Sequence, residues 1–130
     1  MLPRLNGIFA FAVWDARNAT MLVARDALGV KPLYLSRTER GIAFGSELKG
    51  LLKLAPEARE LDQAALHRYL SFLWCPGEGT PLRRVRKLLP GQAIELRAGA
   101  VSREWIWYEL PVFRGVRPDL GEREAIEGTV

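Results

Sequence analysis

ARDALGVKPLY, residues 24–34, is the stretch whose reading decides the fold. Arg25 and Asp26 follow the apolar run Met21, Leu22, Val23, Ala24, so a charged pair stands at the end of a predicted strand where the backbone must turn. Gly29 marks that turn, since glycine reaches positive φ without a Cβ clash, and Pro32 fixes φ and removes a donor, which starts the next strand at Leu33. On residue types alone, a well-made turn accounts for the segment.

Working outward, Asn6-Gly7 precedes the run Ile8 to Trp14, in which Phe9, Phe11 and Val13 share one face and Ala10 and Ala12 the other. Both faces are apolar, which predicts a strand buried on both sides, its large face against another sheet and its small face against a helix. Asp15 to Ala19 reverses the chain into a second strand, Thr20 to Ala24. Leu33 to Ser36 and Ile42 to Gly45 read as a third and fourth strand around the polar turn 37–41, so tight turns between short strands predict an antiparallel meander.

Ser46 then occupies an N-cap position and Glu47 the first turn of a helix carrying Leu48, Leu51 and Leu52 and ending before Pro56. Asp62 caps a second helix. Leu61 and Leu66 are placed as a hydrophobic staple, and Leu66, Tyr69, Leu70 and Leu73 form one apolar face that stops near Trp74. Pro76 to Pro81 reads as an exposed loop, either a connector or a partner surface, and Arg83, Arg84, Arg86 and Lys87 as a solvated basic cluster without a glycine-rich phosphate cradle. Pro90-Gly91 leads into a second hairpin, Gln92 to Arg97 and Val101 to Leu110, bearing Trp105, Trp107 and Tyr108; Glu122 to Glu127 could open a further helix.

Composition bounds the function. With 130 residues, 48% hydrophobic and 26% charged, the chain can bury about two-thirds of its unfolded surface as one domain. Its net charge of +4 is spread too thinly for a nucleic-acid-binding face. One cysteine, Cys75, excludes an internal disulfide and a cysteine-based metal cluster, and suits a reducing cytoplasm. No apolar run approaches the roughly 20 residues of a membrane span, and no signal peptide is legible at the N-terminus. His67 has no second ligand one turn away, and Cys75 reads as a small hydrophobe beside Trp74.

LNGIFAFAVWD, the hairpin into ARDALGVKPLY, FGSELKGLL, LDQAALHRYLSF, VRKLLPGQAIEL and the aromatic hairpin together resemble the asparagine synthetase (glutamine-hydrolysing) family, in order and spacing, over about residues 5 to 110. The resemblance implies an α+β fold: part of the αββα sandwich of N-terminal-nucleophile hydrolases, mostly antiparallel strands with two helices. Residues 1–110 would be the second half of the glutaminase, a class II glutamine amidotransferase domain, and 111–130 a linker and the start of a synthetase domain. In that family an N-terminal cysteine attacks the glutamine amide, with its own α-amine as base. This chain starts Met1-Leu2, Cys75 lies elsewhere, and Asn6-Gly7 aligns with the later strand rather than with the family's oxyanion pair. The family's substrate arginine, oxyanion donors and substrate-amine acid lie upstream of the match, and its S-G-G-x-D-S phosphate loop has no counterpart here.

No catalytic, cofactor or metal residue is therefore expected in this chain; ATP and magnesium belong to the complete enzyme. The resemblance places Ile8, Val30 and Lys31 at positions near the passage through which ammonia leaves, but core packing is the reading preferred for Ile8 and Val30 in this chain. Arg25 and Asp26 with Gly29 and Pro32 are expected to hold the turn, and Ser46 and Glu47 to cap a helix. The expected partners are the upstream half of the glutaminase and the synthetase domain, with self-association through exposed strand edges and neither nucleic acid nor membrane. A degenerate, non-catalytic glutaminase-like module that binds a protein partner is the alternative.

Overall fold

The computed structural model describes residues 1–111, so the expected helix at 122–127 and nearly all of the expected linker lie outside it. One sheet has the order β1-β2-β6-β7, from Ala10–Asp15, Thr20–Arg25, Gln92–Arg97 and Ala100–Ile106. The other has the order β4-β3-β5, from Gly41–Gly45, Tyr34–Thr38 and Val85–Lys87. All neighbours are antiparallel, and helices α1 (Leu48–Leu54) and α2 (Gln63–Phe72) complete an α+β fold.

The first four strands do not form one meander. Both edges of β2 are occupied, by β1 and β6, so the chain leaving Arg25 cannot add a neighbour and crosses instead into the second sheet. Strand alternation sorts side chains between layers. Met21 and Val23 point into the space between the sheets, filled by Val23, Leu33, Leu35, Leu88, Ile94 and Leu96, whereas Leu22 and Ala24 point away from it. Beyond the second sheet, Leu51, Ala55 and Ala58 pack on Leu82 and Val85. On the far face of the first sheet, Ala24, Ala93, Phe11, Leu22, Trp105 and Trp107 gather around Leu2 of the 3-10 turn Leu2–Arg4, with Phe9 against Phe11 and Trp107. Three layers, helix, sheet and sheet, are thus built among the described residues.

The doubly buried first strand is corrected on two counts. Strand β1 lies at a sheet edge, where Val13 and Trp14 are 49% and 56% exposed. Its faces are also reversed: Ala10 packs toward the inter-sheet core and Phe11 toward the outer face, because side chains of β2, β3 and β6 already fill the space between the sheets. Ser46 does not cap α1. The N-cap is Glu47, in extended conformation without a side-chain hydrogen bond, so the helix begins at Leu48, one residue later than the sequence suggests.

Asp62 does cap α2, its carboxylate accepting from the Ala65 amide at 3.0 Å. The apolar face of that helix is not buried: Leu66, Tyr69, Leu70 and Leu73 are all exposed, as is His67. The loop before β5 is partly interior, since the buried Thr80 hydroxyl bonds the Leu82 and Val85 carbonyls. Two of the clustered arginines are paired, Arg83 with Glu60 and Arg86 with both Glu104 oxygens at 2.8 and 2.9 Å, the latter tying β5 to β7 across the two sheets.

Gly91 closes this assembly at φ +64°, with its missing Cβ only 2.2 Å from the Tyr108 carbonyl oxygen. Gly91→Ala is expected to destabilise the fold by about 2–4 kcal/mol through left-handed strain and a backbone clash, read as a lower urea midpoint.

Candidate functional site

The segment from Arg25 to Lys31 folds around two side chains that bond its own backbone. The Arg25 guanidinium donates from Nε to the Lys31 carbonyl at 2.8 Å and from its terminal nitrogens to the Gly29 and Leu88 carbonyls. The Asp26 carboxylate accepts from the Val30 and Lys31 amides, both at 2.9 Å. Arg25 and Asp26 are buried, Asp26 almost completely, yet they form no direct ion pair with each other; each is satisfied by main chain. The expected pair is therefore two adjacent clamps.

Main-chain bonds extend the clamp to distant strands. The Asp26 amide donates to the Phe9 carbonyl, and the Asp26 carbonyl accepts from Gly29 and Gly91. Trp107 Nε1 donates to the Arg25 carbonyl, and the Trp107 amide to that of Gly91. Gly29 sits at φ +67° with its missing Cβ 2.6 Å from the Pro90 ring, so glycine serves both the turn and the close approach. Leu88, Gly91 and Trp107 were not legible as parts of this site. The Pro-Gly turn and the aromatic hairpin are visible in sequence, but nothing local reports which loop they close upon.

Electrostatics follow from burial and from the amides. Burial pulls the Asp26 pKa upward, but the nearby backbone amides, first those of Lys31 and Val30 that bond the carboxylate, outweigh it and hold the carboxyl below its ordinary value. Burial lowers the Arg25 pKa, opposed by the Asp26 charge.

Held this way, the loop turns apolar side chains outward. Val30 and Leu28 are 54% and 61% exposed, Ile8 on the neighbouring segment is 68% exposed, and Lys31 is exposed beside them in sequence. Core packing is thereby excluded for Ile8 and Val30 within the described residues. Pro32 follows the clamp and Leu33 enters the inter-sheet core, while Ser46 and Glu47 lie away from it at the start of α1.

The profile of a family described as a glutamine amidotransferase domain matches residues 1–108. The chain belongs to that family. It is 36% identical over 94 residues to asparagine synthetase [glutamine-hydrolyzing] 1 of Bacillus subtilis, covering 72% of this chain and 15% of that protein. It is 36% identical over 116 residues to a putative asparagine synthetase of Mycobacterium bovis, covering 87% and 18%. Asparagine synthetase B of Escherichia coli is 35% identical over 74 residues, covering 56% and 12%. The aligned part of this chain thus spans less than a fifth of the length of these relatives. Among the described residues of this amidotransferase-family chain, no group of three or more His, Cys, Asp or Glu is placed to hold a metal ion, and no helix is long and apolar enough to cross a membrane.

Because the Asp26 pKa is depressed on folding, its stabilisation is full above the unfolded value near 4 and is lost as pH falls through the lower native value. Asp26→Asn presents an amide NH2 to amide donors and should cost about 2–4 kcal/mol at pH 7. Urea unfolding at pH 7 and again near pH 3 should show this difference shrinking in acid.

Proposed function

We propose that this chain is the distal part of the glutaminase domain of an asparagine synthetase-like amidotransferase, in which glutamine hydrolysis supplies ammonia for ATP-dependent amide formation. The observation that carries this reading is the family match over residues 1–108, in a chain whose two-sheet core is of the expected class. The cysteine nucleophile, the oxyanion donors and the substrate arginine would come from an upstream partner segment, and ATP and magnesium from a synthetase domain.

This chain's own contribution is scaffold and exit. Arg25 and Asp26 hold the 26–31 loop so that Ile8 and Val30 form an apolar wall, beside which neutral ammonia is favoured over ammonium. The Lys31 charge at its edge repels ammonium further. A cytoplasmic setting is consistent with the single cysteine. The edge of β1, unpaired among the described residues, and the outer face of the first sheet would receive the upstream segment, and in its absence a second copy.

Co-expression tests this directly. The chain alone is expected to release no ammonia from glutamine and to self-associate by light scattering. Adding the upstream part of a relative's glutaminase, from its N-terminal cysteine to just before the strand matching β1, should give a one-to-one complex with glutaminase activity that vanishes when that cysteine becomes alanine. A folded one-to-one complex without activity would favour the non-catalytic module instead, and activity of this chain alone would overturn the assignment of chemistry.

A further inference from the structure

A cavity of about 270 Å3 opens between α2, the start of α1 and the loop before β5, its lining including Leu48, Tyr69, Leu73, Trp74, Pro81 and Lys87. Most of its wall is apolar or aromatic. The Thr80 hydroxyl is already committed to the Leu82 and Val85 carbonyls, and the Cys75 thiol faces the Ala65 carbonyl. Among the described residues, Lys87 is the one cation in this lining.

Lys87 is fixed and, among the described residues, lacks a counter-charge. As the last residue of β5 it pairs with Tyr34, its amide donates to the Glu78 carbonyl at 2.8 Å, and Nζ donates to the Cys75 carbonyl while standing 5.4 Å above the Trp74 ring. It takes part in no ion pair among the described residues; Glu78, the adjacent carboxylate in this loop, faces Arg86 instead. Partial burial lowers the Lys87 pKa, the nearby Cys75 raises it and the Arg25 charge lowers it, so the ammonium is held at a cost that a bound anion would relieve. An ammonium holds three donors, and one carbonyl leaves the others available.

We propose that this cavity binds a small carboxylate with an apolar tail, the carboxylate accepting from Lys87 Nζ and the tail lying against Trp74, Tyr69 and Leu73. The volume lies just below the roughly 300–1,000 Å3 of drug-sized pockets, so it suits a ligand of about one ring. The site lies on the α2 side of the second sheet and is independent of the glutaminase reading, since it uses neither Ile8 nor the 26–31 loop.

The test uses the full chain with phenylacetate and its neutral isostere phenylacetamide as probes. Binding is followed at the Trp74 indole N–H resonance, identified by its loss in Trp74→Phe. Phenylacetate should shift that signal saturably with a millimolar or lower Kd, and phenylacetamide should bind at least tenfold more weakly. Lys87→Met should weaken phenylacetate at least tenfold and leave phenylacetamide unchanged. Titration of the Lys87 side chain in the unmutated chain, observed by NMR, should move to higher pH when phenylacetate is bound, a readout that holds even where Lys87→Met fails to fold. Equal affinity for acid and amide, no saturable shift at Trp74, or an unmoved Lys87 titration would each overturn the proposal.

Discussion

The Asp26 carboxylate binding the amides of Val30 and Lys31 is the constraint on which the arrangement depends. Those amides belong to a crossing segment that cannot join a ladder, because β2 already has a neighbour on each edge. Left unpaired at a buried site they would each cost on the order of 1–3 kcal/mol. Aspartate supplies the missing acceptors, and Arg25 supplies donors to the carbonyls of Gly29, Lys31 and Leu88. The two sheets can then stack, with Leu33 and Leu88 leaving the clamp directly into the space between them.

What the sequence made legible was local. Gly29 and Pro32 mark the turn, alternation marks the strands, and Asp62 is recognisable as a cap because an aspartate before an apolar helix has a short-range partner three residues on. Pairings across the chain were not legible. Hairpins β1-β2 and β3-β4 have the same period whether they share a sheet or face each other, so nothing in their alternation separates a meander from a sandwich. Glu47 rather than Ser46 is the N-cap of α1 because β4 runs to Gly45 and leaves the backbone still extended at Glu47.

Exposure was the least legible property, and it is where function enters. Ile8, Leu28 and Val30 look like core residues by type, as do Leu66, Tyr69 and Leu70, yet all stand on the surface. Side-chain type reports a preference for burial without saying which chain supplies the cover. The loop fixed by these hydrogen bonds still presents apolar side chains to solvent among the described residues, in a chain whose aligned part spans less than a fifth of relatives such as the Bacillus subtilis and Mycobacterium bovis proteins.

Amide hydrogen exchange at Val30 and Lys31 tests the clamp most directly. Both residues have solvent-exposed side chains in a loop, so exposure alone would give exchange as fast as in the 15–19 turn. The clamp instead predicts protection within about tenfold of that at Val23 in the central strand β2, since opening either amide would require breaking the buried Asp26 site. Exchange of Val30 and Lys31 at the rate of Asn18, with Val23 protected, would contradict it.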